Sequence, residues 1–476
     1  MTDSIQSQLE TARKLLTEHG QEHLLRFAGQ LNQAQIQELL ADINLLDLTL
    51  IDDLIKRFVL IRTSPPLPGK ILPPAVYPID PPADLAPKYQ QGLRLGQKLI
   101  AEGKVAAFTV AGGMGTRLNF DGPKGFLPST PVRKKVLFQV FAESIRATQR
   151  RYDCIIPWYI MTSSANHKTT GQAFEENNYF GLNTDNVVLF QQGMMPCFDE
   201  EGRILLAEPH RLALSPDGHG GSLRALYNSG ALDDMARRGI EYISYFQVDN
   251  PLLKVIDPLF IGLHAQDGAE MSSKAVIKTN PLEKVGVLVR ADDKMQVIEY
   301  TDFPEELAQQ RNKDGRLTFE LGSIAIHIIN RVFAERLNQH GFSLPWHQAR
   351  KRVRYVDQNS QPIDPKEPNA VKLETFVFDA LPLAQQSIIL AIERAEEFAP
   401  IKNATGVDSL ESSRLLQIER AARWLEKAGA VVPRRHDQTV DATIEISPLF
   451  ALDADELSQK QQLLPPINPG DISYIE

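Results

Sequence analysis

Cysteine is almost missing from this chain: 476 residues hold two, Cys154 and Cys197. Two thiols exclude a disulfide scaffold at this length, and the opening MTDSIQSQLETARK lacks the apolar core of a secretion signal. Both point to a reducing cytoplasm. Nothing suggests a lowered thiol pKa at Cys197, which reads as a packed, inert residue. Basic residues are not in excess either, 51 against 60 acidic for a formal charge of −9. That balance excludes bulk nucleic-acid binding and confines positive charge to places where an anion is held. No apolar run is long enough to span a membrane. Two common nucleotide loops are also absent. No GK[ST] closes a Walker loop, and no G-x-G-x-x-G opens a helix as a dinucleotide fold requires. With 43% hydrophobic and 23% charged residues, disorder is excluded and a large globular protein remains.

What is present is concentrated in Val105 to Lys124, VAAFTVAGGMGTRLNFDGPK. Val105 to Val110 carry no charge and suit a strand buried on both faces of a parallel sheet. A loop at the carboxyl end of such a strand meets ligands. Gly112, Gly113 and Gly115 have no Cβ, so main-chain N–H groups there can surround a phosphate, aided by the positive end of a following helix. Arg117 and Lys124 add charge. A lone GxG loop would pass for a plain turn; Pro123-Lys124 downstream turns the reading toward phosphate binding.

Residues 4–62 read as helices, with Ile36, Leu39, Leu40 and Ile43 at i, i+3, i+4 and i+7. Pro65 to Pro82 holds eight of the 31 prolines and predicts an extended strap. Residues 1–92 therefore form a helical region with its strap. From 93 to 400, apolar runs such as Ile155–Met161, Val187–Phe190 and Ile243–Val248 alternate with amphipathic segments, the pattern of a mostly parallel sheet between helices. Leu137, Val140, Phe141 and Ile145 stripe one helix, and Leu223, Leu226, Leu232 and Met235 stripe others. Residues 401–476 form a small carboxyl-terminal region, with a helix over Glu411–Lys427 and a strand over Ala442–Ile446.

The stretch VAGG-x-GTR-L followed by PK resembles the signature of sugar-nucleotide pyrophosphorylases. Trp158–Ser163 (WYIMTS), Asn178–Leu182 (NYFGL), Phe190–Cys197 (FQQGMMPC), Ser215–Gly221 (SPDGHGG) and Val248–Asn250 (VDN) are similar to the uridylyltransferase subgroup that includes UDP-N-acetylglucosamine pyrophosphorylases. KTNP at 278–281, QVIEY at 296–300, DGRL at 314–317, FVFD at 376–379, PIKNA at 400–404 and GQEHLLRF at 20–27 continue the similarity in order. The resemblance implies an α/β fold with a Rossmann-like nucleotidyltransferase domain. It implies an enzyme that forms UDP-sugar and pyrophosphate from UTP and a sugar 1-phosphate with Mg²⁺, and no nucleic-acid or membrane partner.

It also implies roles. Val110, Ala111, Gly112 and Gly113 would cradle phosphates and nucleoside, with Lys124 and Arg117 as cations. Asp249, at a strand end, would hold the metal near the nucleotide, because a carboxylate among phosphates repels them unless a cation intervenes. Gln192 would read the imide edge of uracil with its amide, beside Gln191. Gly218 would let backbone approach the base. Lys402 and Lys372 would contact phosphates, and Glu299 would accept from sugar hydroxyls. The basic run Arg133-Lys134-Lys135 reads as a solvated loop. Two positions depart from the N-acetylhexosamine pattern: His219 stands where PDGNGG is common, and Ser323, in Gly322–His327 (GSIAIH), where GNIANH is common. Two amides near the sugar are gone, and a histidine in PxGHG also resembles UDP-glucose pyrophosphorylases. N-acetylglucosamine 1-phosphate is the substrate the longer similarity favours. Glucose 1-phosphate, a broad sugar range and a noncatalytic UDP-sugar sensor stand as alternatives.

Overall fold

The structure, a computed structural model, describes residues 3–61 and 69–476. It divides into two compact units. The first gathers the described residues through 61 with Gln192–Ser222 and Leu344–Val377; the second holds 69–191, Leu223–Ser343 and Phe378–Glu476.

The second unit is built on ten strands: β1 (Ile71–Leu72), β2 (Val105–Val110), β3 (Trp158–Thr162), β4 (Val187–Gln191), β5 (Tyr242–Gln247), β6 (Met271–Ile277), β7 (Val287–Ala291), β8 (Lys294–Ile298), β9 (Leu321–Asn330) and β10 (Ile389–Ile392). Strands β5, β2, β3 and β4 lie side by side and parallel, with Phe108 facing Tyr245 on one side and Tyr159 on the other. Uncharged side chains make this possible, because both faces are covered: Val105–Phe108 and Trp158–Met161 are at most 1% exposed. The opposite half is mixed. Strand β9 runs antiparallel to β5 through His327–Asn330 and to β6 along its other edge, β7 pairs with β8 and β1, and β10 joins β6 in parallel. Across from Lys274, residues 324–326 bulge out of β9, with Ala325 at φ 54°.

Of the expected proline-rich strap, residues 65–68 lie outside the described residues. Its described part enters the sheet edge through β1, and Tyr77 bridges to Leu390. The helix Leu137–Tyr152 buries Leu137, Phe138, Val140, Phe141 and Ile145 as its periodicity predicts. Phe138 packs edge-on against Phe126, Trp158 and Phe174. The helices Ala86–Ala101 and Pro258–Gln266 approach until backbone touches backbone. A Cβ on Gly96 would lie 1.7 Å from the Pro258 carbonyl oxygen, and one on Gly262 1.7 Å from that of Gly92. The carboxyl-terminal segment has its own core of Trp424, Leu425, Ile444, Leu457 and Ile475. There the helix Leu410–Lys427 starts from a Ser409 capping box, and Thr443–Ile446 pairs in parallel with Ile472–Ile475.

In the first unit the helix Gln33–Asn44 buries Ile36, Leu39, Leu40 and Ile43 against one core shared with the helices Asp3–Glu18 and Leu48–Leu54. That core also takes Phe198, Ile204, Trp346, Val371 and Leu373.

Two expectations are corrected. Lys135 is not solvated: its side chain is 8% exposed and its Nζ lies 2.5 Å from Glu143, so its charge is compensated by a buried ion pair. And no long helix follows the glycine loop directly. One 3-10 turn, Thr116–Leu118, stands there, and the next α-helix begins at Leu137, which removes the anticipated helix-end attraction from the phosphate site. Among the described residues no helix is long and apolar enough to cross a membrane.

Candidate active site

In the second unit the site grows from adjacent strand ends. Strand β2 delivers Val110 into Ala111–Gly115, and β5 delivers Val248, Asp249 and Asn250; the Val248 N–H donates to the Val110 carbonyl at 3.2 Å. The loop is held from below by buried Asn166, whose Nδ2 donates to the carbonyl oxygens of Ala111 (3.0 Å) and Gly113 (3.5 Å). A Cβ on Gly113 would meet nothing within 4 Å, so protein packing does not demand glycine there. Open space beside main-chain N–H groups is what an approaching phosphate needs.

Lys124 is set by two contacts. Its N–H donates to the Gly113 carbonyl at 3.1 Å, and Met114 bridges to Pro123, folding the chain back on the loop. Behind it, a Cβ on Gly125 would lie 2.0 Å from the Phe138 ring, so the Pro-Lys-Gly turn rests directly on the aromatic core. Lys124 Nζ then reaches Asp249 Oδ2 at 3.5 Å, both side chains mostly buried at 16% and 14% exposure. Arg117 is exposed on the 3-10 turn and, among the described residues, forms no ion pair. Lys402 is brought near by main chain: the Ile401 N–H donates to the Asp249 carbonyl at 2.9 Å. Asn250 joins the same segments, donating to the Glu397 carbonyl (2.6 Å) and accepting from the Ala399 N–H (3.0 Å). Lys402 and Asn403 N–H groups both donate to the Asp408 carbonyl. Burial raises the Asp408 carboxyl above its ordinary range, against the lowering pull of Lys402 and Arg394.

A metal fits this end in one way. Among the described residues no three His, Cys, Asp or Glu side chains gather as a cage. A hard dication that takes one carboxylate and fills its remaining positions with phosphate oxygens and water suits Asp249 alone, which is how Mg²⁺ commonly sits in nucleotide enzymes.

Glu299 and Ser323 meet around Gly286 in the mixed half of the sheet. The Ser323 N–H donates to the Gly286 carbonyl at 2.8 Å, and Glu299 Oε1 lies 3.5 Å from a Cβ built on that glycine. Glu299 is half-buried just past β8, its carbonyl accepting from Asp302 and Phe303. Lys278 is buried nearby, and burial lowers its pKa.

In the first unit Gln192, Gly218, His219 and Lys372 lie on neighbouring strands and turns. Gln192 is half-buried just before Met194–Pro196, which pairs with Leu214–Pro216. Asp217 is the hidden anchor. It is 2% exposed, its carbonyl accepts from both the N–H and the hydroxyl of Thr375, and its carboxylate fills the space where Cβ atoms on Gly193 and Gly221 would sit. Gly218 has φ 85°, and a Cβ there would fall 2.3 Å from the Thr375 carbonyl oxygen. Phe376 stacks with two imidazoles, His219 at 5.3 Å and His347 at 4.5 Å. Burial, with His347 adding a little, pushes the His219 pKa down to about 4. The Val377 N–H donates to Nδ1 at 3.1 Å. The neutral ring therefore carries its hydrogen on Nε2. Lys372 lies half-buried on Ala370–Glu374, close enough to Cys197 to oppose the burial that raises that thiol's pKa. Cys197 is thus the inert residue expected.

The sequence reading missed Asn166, Asp217, Asn250, Thr375, Phe376 and His347. Apart from Phe376, in FVFD, and the residues of SPDGHGG and VDN, none sat in a motif; a polar residue with no surface partner gives no sign until the fold brings its backbone acceptor to it.

A family model described as UTP–glucose-1-phosphate uridylyltransferase matches residues 81–466. The UDP-N-acetylglucosamine pyrophosphorylase of Saccharomyces cerevisiae is 38% identical over 377 residues, covering 77% of this chain and 78% of its own. The UDP-N-acetylhexosamine pyrophosphorylase-like protein 1 of Xenopus tropicalis is 35% identical over 93% of this chain and 92% of its own. Among solved structures, the uridine diphosphate N-acetylglucosamine pyrophosphorylase of Trypanosoma brucei, crystallised with an inhibitor, superposes with a TM-score of 0.82 at 28% identity, covering 98% of both chains. Since the family model runs through the glycine loop, Lys124 and Asp249, and both relatives match more than two thirds of the chain, the chain belongs to the UTP–glucose-1-phosphate uridylyltransferase family.

Proposed function

We propose that the chain is a UTP:sugar-1-phosphate uridylyltransferase that makes UDP-N-acetylglucosamine. A phosphate oxygen of N-acetylglucosamine 1-phosphate attacks the α-phosphorus of UTP in line. The bond from that phosphorus to the oxygen bridging to the β-phosphate breaks, and pyrophosphate leaves with the electron pair. The nucleophile is already an anion, so no base is required; the work is to hold two polyanions together and offset charge on the leaving group. The observation that carries this reading is Lys124 Nζ held 3.5 Å from Asp249 Oδ2 beside an open glycine loop. A fixed ammonium suits the leaving pyrophosphate, and N–H groups of Val110 to Gly113 suit the phosphates. Mg²⁺, held by Asp249, would supply neutralising charge between phosphate oxygens. Lys402, Arg117 and Lys372 add cations; Gln192 and Gly218 are the candidate uracil readers; Glu299, His219 and Ser323 are the candidate sugar contacts. The names of the relatives favour N-acetylglucosamine over glucose.

Pyrophosphate release is measured with UTP, Mg²⁺ and the 1-phosphates of N-acetylglucosamine, glucose and N-acetylgalactosamine in turn. Fastest release with N-acetylglucosamine 1-phosphate is expected. Preference for glucose 1-phosphate would move the substrate assignment, and silence with all three while UDP-sugar still binds would make the chain a sensor. In the same assay, His219→Asn with Ser323→Asn should raise the preference for the N-acetyl sugar about tenfold; unchanged ratios place selectivity elsewhere.

A further inference from the structure

One stripe of the carboxyl-terminal helix Leu410–Lys427 bonds to the segments that flank Lys124, Asp249 and Lys402. Ser413 Oγ donates to the Ala399 carbonyl (2.7 Å), three residues before Lys402. Arg414 Nη2 donates to the Pro128 carbonyl (2.7 Å) and Gln417 Nε2 to that of Ser129 (3.1 Å), just past Lys124. Arg420 Nη1 donates to the carbonyls of Leu252 (3.0 Å) and Glu396 (3.2 Å), on the two segments that Asn250 and Asp249 join at their other end. Trp424 Nε1 closes the row on the Glu396 carboxylate at 2.7 Å. Positions 413, 417, 420 and 424 recur at helical spacing, with 414 beside them, so these donors share one face.

The chemistry of this face is unusual for a packing surface. An apolar stripe would pack the helix more cheaply, since a half-buried guanidinium gives up part of its hydration. Here burial pushes the Arg420 pKa down to about 10, and its Nη1 donates to two main-chain carbonyls rather than to a paired carboxylate. Hydrogen bonds to carbonyls fix direction and distance in a way apolar contact does not. We infer that this helix face is a positioning clamp, with Arg420 as its centre, that holds the Lys124, Asp249 and Lys402 loops in register for uridylyl transfer.

This inference rests on the proposed function, and its test separates the two. Arg420→Met keeps much of the side-chain bulk and removes the donors. Arg434→Ala is the control: it strips ion pairs to Glu419 and Glu426 from the same region without touching any catalytic loop. With the substrates above, Arg420→Met should lower kcat roughly thirtyfold, as small misplacement of reacting groups does, with the KM for UTP within threefold and partial recovery in Arg420→Lys. Arg434→Ala should keep the wild-type kcat. Amide hydrogen exchange is followed in parallel. Faster exchange at 127–130, 249–253 and 395–402 in Arg420→Met but not in Arg434→Ala supports the clamp. Equal kcat in the two variants, or unchanged exchange on those loops, overturns it. Wild-type protein inactive with every sugar would sink the uridylyltransferase reading, while the exchange pattern would still decide the clamp.

Discussion

The two compact units handle their candidate residues by opposite rules. In the second, Lys124, Arg117 and Lys402 stand at the ends of strands and turns as side-chain charges that little else in the fold depends on. In the first, Gly218 and His219 are woven into packing: Asp217 fills the space of two missing Cβ atoms, Thr375 takes both hydrogen bonds of one carbonyl, and Phe376 stacks with two imidazoles. Charge can be placed late on a rigid sheet, whereas a turn locked into its neighbours' backbone depends on every segment around it. Loss of a charge should therefore cost rate, and loss of a glycine should cost fold.

The widest gap between the two is expected at Lys124→Ala. Turnover should fall roughly 10³-fold with the melting temperature unchanged; a large fall in melting temperature would show that the second unit, too, builds its site from structural residues. Asp249→Asn comes next. Half-maximal rate should need about tenfold more Mg²⁺, and an unaltered Mg²⁺ dependence would remove the metal assignment. Gly218→Ala tests the other side. A Cβ against the Thr375 carbonyl at φ 85° should cost about 2 kcal/mol of stability; a variant as stable as wild type with weaker UTP binding would erase the contrast. The smallest effect concerns acid. With the folded pKa of His219 at about 4, below the ordinary histidine value, the unfolded chain takes up a proton between pH 6.5 and 4 that the folded chain refuses. The contribution of neutral His219 is whole above pH 6.5 and drains away as pH falls toward 4. His219→Asn should lose about 2 kcal/mol less than wild type across that window, read by urea unfolding at pH 7 and pH 4.5. Parallel losses would mean the ring is not held neutral.

The sequence spoke clearly where one short segment carries both structure and chemistry. Val105 to Lys124 shows its strand, loop and lysine in twenty consecutive residues, and Asp249 follows an apolar run that could only be a buried strand. The helical stripe of Ile36, Leu39, Leu40 and Ile43 was equally open. It was silent where the partner is remote. Gly218 is shaped by Thr375, more than 150 positions later, and Lys135 looked solvated because Glu143 and the surrounding core that bury it are not a motif. The core shared by the amino-terminal helices with Phe198 and Val371 has the same origin: periodicity tells which face is apolar, never which distant face it will meet.

The seam of Gly92, Gly96 and Gly262 has a consequence for anyone mapping tolerance to substitution. No rotamer, however small the residue, fits where a methyl carbon would sit 1.7 Å from a carbonyl oxygen. The helices would have to part, and with them Asp257, which caps Pro258–Gln266 and pairs with Lys274. A saturation library selected for survival should thus show two chemically mute positions, Gly96 and Gly262, as unforgiving as Lys124, and an intolerance map alone would mistake a packing seam for a second reaction centre.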